Sequence, residues 1–211
     1  MNTGIIDYGA GNLRSVAKAV ESLEFEARII QSPDQLAGID TLILPGVGAF
    51  GDCVHHLQEQ QLWEPIREWV QAGRPYFGIC LGYQILFESS EEAPSVEGLG
   101  VFQGQVVRFP KSDLKVPHMG WNEIYPEDNE DPLWEGLPGH PHVYFVHSFY
   151  PNPTDKSIVA ATADYGGKFA AGIRKGEVVA TQFHPEKSQA LGLKVLGNYL
   201  RSQLSAVTVA A

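Results

Sequence analysis

The sequence predicts an α/β fold built around a parallel sheet. In the first half of the chain, short and almost continuously apolar segments alternate with amphipathic helical patterns, which is typical of parallel strands covered by helices on both faces. In the second half, strands joined by turns rich in glycine and proline indicate a mixed or antiparallel extension of that sheet. A length of 211 residues suits one well-buried domain, so we expect residues 1–211 to form a single domain.

Four apolar segments in the first half have the length of buried strands, and each is followed by a turn or a helix signal. The predicted strands are residues 4–7, 27–30, 41–44 and 76–79. The first leads into a turn over residues 8–11, and the third leads into residues 45–48, with the sequence Pro-Gly-Val-Gly.

Helices are predicted between these strands by apolar spacing and by end signals. One apolar face at helical spacing is formed by Leu13, Val16, Val20 and Leu23. Ser32 followed by Pro33 is a capping residue with proline at the first helical position, so a helix is expected there. Further helices are predicted over residues 52–60, 63–71 and 81–87, with Gly73 as a C-terminal cap of the second.

The second half of the chain is predicted to be mostly strands until the last helix. The strands expected there are residues 101–109, 143–149, 158–161 and 178–183. A final helix is expected over residues 189–204.

Composition excludes several classes of function. An apolar fraction of 44% with 19% charged residues is typical of globular proteins, and the net charge of −10 argues against nucleic-acid binding. No segment has the roughly 18 apolar residues of a membrane-spanning helix, and the chain begins in a predicted strand rather than in a signal peptide. Two cysteines form no disulfide framework, which fits a reducing cytoplasm.

One of these cysteines occupies the position of a nucleophile. Cys80 lies between a predicted buried strand and a predicted helix, in the sequence Gly78-Ile79-Cys80-Leu81-Gly82. This is the cysteine form of the strand–nucleophile–helix elbow, in which only small residues fit at the flanking positions. A helix N-terminus favours the thiolate, and the next N–H, that of Leu81, faces a developing oxyanion. The alternative is a buried structural cysteine, which is our interpretation of Cys53.

His184 is the histidine with an evident orienting partner. In the sequence His184-Pro185-Glu186, residues two apart on an extended segment project to the same side, and Pro185 stiffens the segment. The imidazole would exchange protons with Cys80, and Glu186 would hold it in one tautomer. Without Cys80, the same tripeptide would indicate only a surface turn.

Three stretches resemble the triad-type, or class I, glutamine amidotransferases, and they occur in that family's order and spacing across essentially the whole chain. They are residues 78–84 (Gly-Ile-Cys-Leu-Gly-Tyr-Gln), residues 45–48 (Pro-Gly-Val-Gly) and residues 184–186 (His-Pro-Glu). Three others are similar, more narrowly, to the glutaminase subunits of imidazole glycerol phosphate synthases. These are residues 7–13 (Asp-Tyr-Gly-Ala-Gly-Asn-Leu), 117–122 (Pro-His-Met-Gly-Trp-Asn) and 144–148 (Tyr-Phe-Val-His-Ser).

The resemblance implies a flavodoxin-like fold with a doubly wound mixed sheet. It also implies an enzyme that hydrolyses L-glutamine through a cysteine thioester. It implies a heterodimer with a separate (β/α)8 cyclase subunit. That subunit would use the ammonia to make imidazole glycerol phosphate and aminoimidazole carboxamide ribonucleotide in histidine biosynthesis. No cofactor is expected, and the cysteines and scattered histidines have no metal-ligand spacing.

Site residues are carried over from the family by position. The resemblance implies a catalytic triad of Cys80, His184 and Glu186. The oxyanion donors would be the N–H groups of Leu81 and Val47. Glutamine would be bound by Gly48, Gln84, Glu92, Ser148 and Phe149. The cyclase would be faced by Tyr8, Asn12, Met119, Trp121, Tyr144, His147 and Lys187.

Several of these residues have structural alternatives. Trp121 and Tyr144 are equally explained as core aromatics, and Asn12 as a helix N-cap. His147, within an apolar strand, is more often a hydrogen-bonded core histidine. Ser148 and Phe149 would act through their backbones, so their side chains carry little information.

Val47 stands where related amidotransferases commonly carry a second glycine. Because a β-branched residue does not readily adopt positive φ, its N–H is not expected to face the oxyanion by default. We hypothesise that the Gly46–Val47 peptide rests in an inactive orientation and that the loaded partner shifts it.

Three other functions remain open on the sequence. The glutaminase subunit of pyridoxal phosphate synthase shares the elbow and the His-x-Glu pair. A cysteine hydrolase of esters or lactones would need neither Gln84 nor the loop at residues 45–48. A non-catalytic binding subunit is disfavoured because Cys80, His184 and Glu186 are all present.

Overall fold

A parallel sheet forms the centre of the protein, as predicted, in a computed structural model that describes residues 1–209. The strands, numbered in chain order, are β1 (Asn2–Ile6), β2 (Glu26–Ile30), β3 (Thr41–Gly46), β4 (Tyr76–Cys80), β5 (Phe87–Ser90), β6 (Phe102–Arg108), β7 (His118–Glu123), β8 (Tyr125–Pro126), β9 (His142–His147), β10 (Phe149–Pro153), β11 (Val159–Asp164), β12 (Lys168–Lys175) and β13 (Val178–Thr181). The α-helices are α1 (Leu13–Ser22), α2 (Phe50–Glu59), α3 (Trp63–Gln71), α4 (Leu81–Gln84) and α5 (Gln189–Val209).

The main sheet has eight strands in the order β2-β1-β3-β4-β13-β12-β11-β8. Its first five strands are parallel and have the flavodoxin-like order, whereas β12, β11 and β8 extend the sheet in antiparallel pairing. In the parallel register, Gly46 pairs with Cys80 and Thr181 pairs with Ile79. The loops after β3, β4 and β13 therefore meet at one edge of the sheet.

Helices cover both faces of the parallel strands. Leu42 and Leu44 of β3 point into a core shared with α2 and α3, whereas Ile43 between them packs with residues of α1 and α5. This alternation explains why the central strands are continuously apolar, because each of their residues is buried on one side or the other. None of the helices in residues 1–209 is both long and apolar enough to span a membrane.

Two predicted helices differ from the structure. Ser32 and Pro33 begin only a 3-10 turn, Pro33–Leu36, and the Ser32 side chain makes no capping bond. The helix predicted over residues 81–87 ends at Gln84, and Phe87 begins β5. The carbonyl of Ile85 accepts from the Leu99 N–H at 2.7 Å, so a bond to a distant loop replaces the helical pattern. Gly73, in contrast, has φ +69° after α3, which confirms it as a C-terminal cap.

The strand predicted over residues 143–149 is in fact two strands. It breaks at Ser148, where β9 leaves its antiparallel partner β7 and β10 joins a separate sheet with β6 and β5. Strands β7 and β12 were not predicted. The centre of β12 is Ala170, Ala171 and Gly172, which have low strand propensity, but pairing on both sides and burial stabilise it.

Candidate active site

Cys80 lies at the elbow between β4 and α4. Its backbone has φ +55° and ψ −100°, a conformation that is unfavourable for residues other than glycine. A Cβ on Gly82 would overlap the carbonyl of Leu44, and a Cβ on Gly78 would lie 2.5 Å from the Gly82 carbonyl oxygen. Both flanking glycines are therefore required by the close approach of strand and helix.

The structure brings His184 and Glu186 together at the end of the neighbouring strand β13. His184 Nδ1 lies 2.9 Å from Glu186 Oε1, and the two side chains are only 1% and 2% exposed. The chain is held there by Ser188, whose Oγ donates to the His184 carbonyl at 2.6 Å. Because Nδ1 is bonded to the carboxylate, Nε2 is the nitrogen left to exchange a proton with Cys80.

The electrostatics of His184 favour its protonated form. Burial alone lowers the pKa of His184, but the neighbouring Cys80 and the hydrogen-bonded Glu186 carboxylate together outweigh it and raise the pKa to about 9. At neutral pH the imidazole is consequently charged, and it carries a proton that it can give to a leaving group.

A cavity of about 240 Å³ opens beside Cys80. It is smaller than the ~300–1,000 Å³ pockets of drug-sized ligands, so it suits a small metabolite such as an amino acid. The structure brings every predicted oxyanion and glutamine-binding residue to its wall, namely Val47, Gly48, Leu81, Gln84, Glu92, Ser148 and Phe149.

The two predicted oxyanion donors differ in their surroundings. Leu81 is the first residue of α4, so its N–H has no acceptor within the helix. The N–H of Val47 instead lies beside the buried hydroxyl of Tyr8. Burial and Cys53 raise the pKa of Tyr8, and the Val47 N–H opposes that rise. The two groups are close, but the Tyr8 hydroxyl has no hydrogen-bond partner among the described residues, so the N–H of Val47 is not bonded to it.

Gln84 and Glu92 both make hydrogen bonds at the cavity wall. Gln84 Nε2 donates to the Phe149 carbonyl at 3.0 Å, and Glu92 accepts from the Phe50 N–H at the start of α2 at 2.8 Å. The backbone carbonyl of Phe149 is thereby fixed, and the carboxylate of Glu92 is held at the wall of the cavity.

Gln182 is a site residue that the sequence reasoning missed. It is fully buried, and its Nε2 lies 3.5 Å from the Cys80 sulfur. Its sequence position could have identified it. Gln182 lies two residues before His184 on an extended segment, and residues two apart on such a segment project to the same side.

Most of the residues predicted to face a partner are accessible around one antiparallel ribbon, β7 and β9. Met119 is 62% and Trp121 is 47% exposed, and the Trp121 ring packs edge-on against Tyr144 with centroids 6.2 Å apart. Lys187 lies with its Nζ 6.0 Å from the Tyr144 ring. Trp121 is therefore not a core aromatic.

Three other residues predicted at the partner face are placed differently. Asn12 is partly buried at the N-cap of α1 without a side-chain capping bond. Tyr8 and His147 are only 2% and 6% exposed. Both side chains lie in the interior beside the site, and their contact with a partner stays a prediction.

Cys53 has the surroundings of a structural residue. It is fully buried in α2, and burial raises the pKa of its thiol to about 12. Within residues 1–209, no group of three or more histidine, cysteine, aspartate or glutamate side chains is arranged to hold a metal ion.

Comparison with known proteins gives consistent relatives. Residues 4–200 match the family described as glutamine amidotransferase class-I. The chain is 51% identical to the "Imidazole glycerol phosphate synthase subunit HisH" of Syntrophotalea carbinolica over 201 residues, covering 92% of this chain and 97% of the relative. The HisH subunit of Rhodopirellula baltica is 49% identical over 196 residues, covering 92% and 95%. That of Methylococcus capsulatus is 46% identical over 209 residues, covering 95% and 96%.

Solved structures share the fold at lower sequence identity. A glutamine amidotransferase crystal structure superposes with a TM-score of 0.74 at 23% identity, covering 95% of this chain and 98% of that one. PurLQS from Thermotoga maritima superposes with a TM-score of 0.73 at 20% identity, covering 98% of each chain.

Proposed function

Because the chain belongs to the class I glutamine amidotransferase family, and within it to the HisH subunits, we propose that it is the glutaminase subunit of an imidazole glycerol phosphate synthase. It hydrolyses L-glutamine and passes the ammonia to a separate (β/α)8 cyclase subunit. That subunit makes imidazole glycerol phosphate and aminoimidazole carboxamide ribonucleotide in histidine biosynthesis. Both cysteines are free thiols, which suits a cytoplasmic enzyme.

The observation that carries this proposal is the arrangement of Cys80, His184 and Glu186 beside a cavity of amino-acid size. The Cys80 thiolate attacks the side-chain amide carbon of glutamine, and the carbonyl oxygen becomes an oxyanion. The N–H groups of Leu81 and Val47 stabilise that charge. His184 donates its proton to the leaving nitrogen, so that ammonia departs and a thioester remains.

The second half of the reaction restores the enzyme. Neutral His184 takes a proton from water, and the resulting hydroxide attacks the thioester carbon through a second oxyanion. Collapse of this intermediate breaks the carbon–sulfur bond and releases glutamate. The sum is one glutamine and one water converted to one glutamate and one ammonia. Glu186 keeps His184 in the tautomer that presents Nε2 to the sulfur throughout.

The experiment compares the two cysteines in complex with the cyclase. Glutamate release and imidazole glycerol phosphate formation are measured with glutamine or with ammonium salt as the nitrogen source. Cys80→Ala should abolish the glutamine-dependent reactions and retain the ammonium-dependent one. Cys53→Ala, which changes a buried cysteine outside the cavity wall, should retain both.

Three outcomes would contradict the proposal. Full glutaminase activity in Cys80→Ala would exclude the nucleophile. Hydrolysis of esters or lactones without hydrolysis of glutamine would favour a hydrolase without a partner. Stoichiometric copurification with the synthase subunit of pyridoxal phosphate synthase, rather than with the cyclase, would assign a different pathway.

A further inference from the structure

Two buried histidines face each other next to the cavity. His118 of β7 and His147 of β9 are directly paired across the ribbon, and His118 Nδ1 lies 3.1 Å from His147 Nε2. They are 3% and 6% exposed. Aromatic rings enclose them, namely Phe109, Phe145, Tyr165 and Phe169. Their orientation is therefore fixed, and so is the position of each ring nitrogen.

The neighbours of this histidine pair determine which of its ring nitrogens carry a proton. His147 Nδ1 lies 2.9 Å from the Phe149 carbonyl oxygen, so Nδ1 carries the proton and Nε2 accepts. His118 must then donate from Nδ1, which leaves its Nε2 as an acceptor 3.4 Å from Asn122 Nδ2. Burial lowers the pKa of His118 to about 4 and that of His147 to about 3, so both rings are neutral.

From the Phe149 carbonyl, further hydrogen bonds lead to Cys80, so the histidine pair and the nucleophile belong to one series of hydrogen bonds. The Phe149 oxygen also accepts from Gln84 Nε2 at 3.0 Å, and that nitrogen is 3.2 Å from Gln182 Oε1. With its oxygen occupied, Gln182 directs its Nε2 at the Cys80 sulfur, 3.5 Å away. The amide orientation of Gln182 is thus set by the groups behind it.

At the end away from Cys80, this series of hydrogen bonds reaches Asn122 on the ribbon of β7 and β9. Asn122 is partly buried, and its Nδ2 also donates to the Asp164 carbonyl at 2.8 Å. The residue before it, Trp121, is 47% exposed, and Met119 on the same strand is 62% exposed. Because His118 and His147 lie on these two paired strands, a displacement of β7 relative to β9 would change the bond between them.

We propose that Gln182 is a positioning residue for Cys80, and that the His118–His147 pair connects its orientation to the exposed ribbon of β7 and β9. Gln182 donates to the thiolate and holds the sulfur toward the cavity. The part concerning the ribbon rests on the proposed function, because the cyclase is the protein that would dock there. The connection requires only neutral hydrogen bonds and moves no proton.

The first test measures Cys80 itself, without glutamine or cyclase. In a Cys53→Ala background, the rate of Cys80 alkylation by iodoacetamide is followed against pH. Gln182→Glu keeps the shape and an acceptor for Gln84 but replaces the donor by an anion, so alkylation should shift to higher pH. The matched control is Gln203→Leu, another buried glutamine, in α5, which should leave the profile unchanged.

Glutamine hydrolysis gives the second readout. Gln182→Leu removes a hydrogen bond to a charged group. Because such bonds are stronger than neutral ones, we expect kcat to fall about ten- to hundredfold. If Gln182 acts on the sulfur, KM should change much less than kcat in Gln182→Glu. A purely structural role would instead lower the melting temperature and leave the alkylation profile in place.

The connection is tested by a double-mutant cycle. His118→Phe keeps an aromatic ring and removes both nitrogens, at a residue that does not line the cavity. It should slow Cys80 alkylation, and it should have no further effect in a Gln182→Leu background. Asn122→Asp, which removes the outer donor at a partly buried site, is the second variant if His118→Phe does not fold.

Two results would overturn the inference. An unchanged alkylation profile in Gln182→Glu would remove Gln182 as a positioning residue. Independent, multiplicative effects of His118→Phe and Gln182→Leu would remove the connection. Because alkylation needs neither glutamine nor the cyclase, these results are distinguishable from a failure of the proposed function.

Discussion

The imidazole of His184 and the carboxylate of Glu186 lie 2.9 Å apart in an almost fully buried pair. Glu186→Gln preserves the shape but allows the other imidazole tautomer. We therefore expect kcat for glutamine hydrolysis to fall on the order of 10³- to 10⁴-fold, as for the third member of a triad. Glu123→Gln is the matched control, because Glu123 faces exposed His142 across 3.7 Å on the surface. Similar activity in the two variants would exclude an orienting role.

The raised pKa of His184 predicts how stability depends on pH. Its pKa rises from 6.5 to about 9 on folding, so the protonated form is favoured in the folded state. That stabilisation is complete below pH 6.5 and is lost as the pH rises through about 9. The free energy of unfolding in urea should fall over this interval, and it should fall less steeply in His184→Asn. Parallel pH profiles for the two proteins would contradict the assignment.

The strained backbone of Cys80 predicts opposite glycine effects at the two cysteines. At φ +55° glycine is favoured, so Cys80→Gly should be more stable than Cys80→Ala by about 1 kcal/mol. In the middle of α2, Cys53→Gly should instead be less stable than Cys53→Ala by about 1 kcal/mol. Denaturant unfolding of the four variants measures both differences. The same sign at both positions would show that the elbow is not strained.

Two substitutions near the second oxyanion donor, the N–H of Val47, are expected to raise the basal glutaminase activity. Val47→Gly should ease rotation of the Gly46–Val47 peptide, and Tyr8→Phe should remove the unpaired hydroxyl that lies beside the Val47 N–H. Since one donor is worth about 100- to 1,000-fold in rate, basal ammonia release should rise at least about tenfold in either variant. Stimulation by the acceptor nucleotide should decrease accordingly. Tyr83→Phe is the control, because that buried hydroxyl contacts the Ala170 carbonyl instead.

An unchanged ratio of stimulated to basal activity in Val47→Gly would place the switch elsewhere. The contact of Lys187 with the cyclase would then be the next candidate.

We expect Trp121, on the exposed ribbon of β7 and β9, to contribute more to association with the cyclase than to folding. Trp121 is 47% exposed, so Trp121→Ala should remove little more than its contact with Tyr144, about 1 kcal/mol of stability. Affinity for the cyclase, measured by calorimetric titration, should drop clearly. Trp134→Ala, at a tryptophan only 4% exposed, should instead cost about 3–5 kcal/mol of unfolding free energy. An unaltered affinity in Trp121→Ala would remove it from the interface.

Local sequence was sufficient for the parallel half of the fold and for the elbow. Strands β3 and β4 are buried along their whole length because helices cover both faces, and this leaves an almost continuously apolar pattern that can be read from one chain. Gly78 and Gly82 are required by backbone contacts over a few residues, so the elbow around Cys80 is also a local feature. His184 and Glu186 were identifiable for the same reason, since they are two residues apart on one extended segment.

Other features depend on contacts between residues far apart in the chain. Helix α4 ends early because Ile85 bonds to Leu99, and β12 exists because β11 and β13 pair with it. The break at Ser148 arises because β9 and β10 join different sheets. Propensity cannot predict these outcomes, because the hydrogen bonds that decide them are made only after the chain has folded.

The sequence by itself was sufficient to predict the class of fold and to propose Cys80 as nucleophile and His184 as base, because each prediction rests on spacing within short segments. Only the tertiary structure decided the burial of Tyr8 and His147, the exposure of Trp121 and the position of Gln182 beside Cys80. The sequence separation of Gln182 and Cys80 is 102 residues, yet adjacent parallel strands bring them within 3.5 Å. The physical reason is that exposure and contact are properties of packed strands, whereas a motif is a property of neighbouring residues.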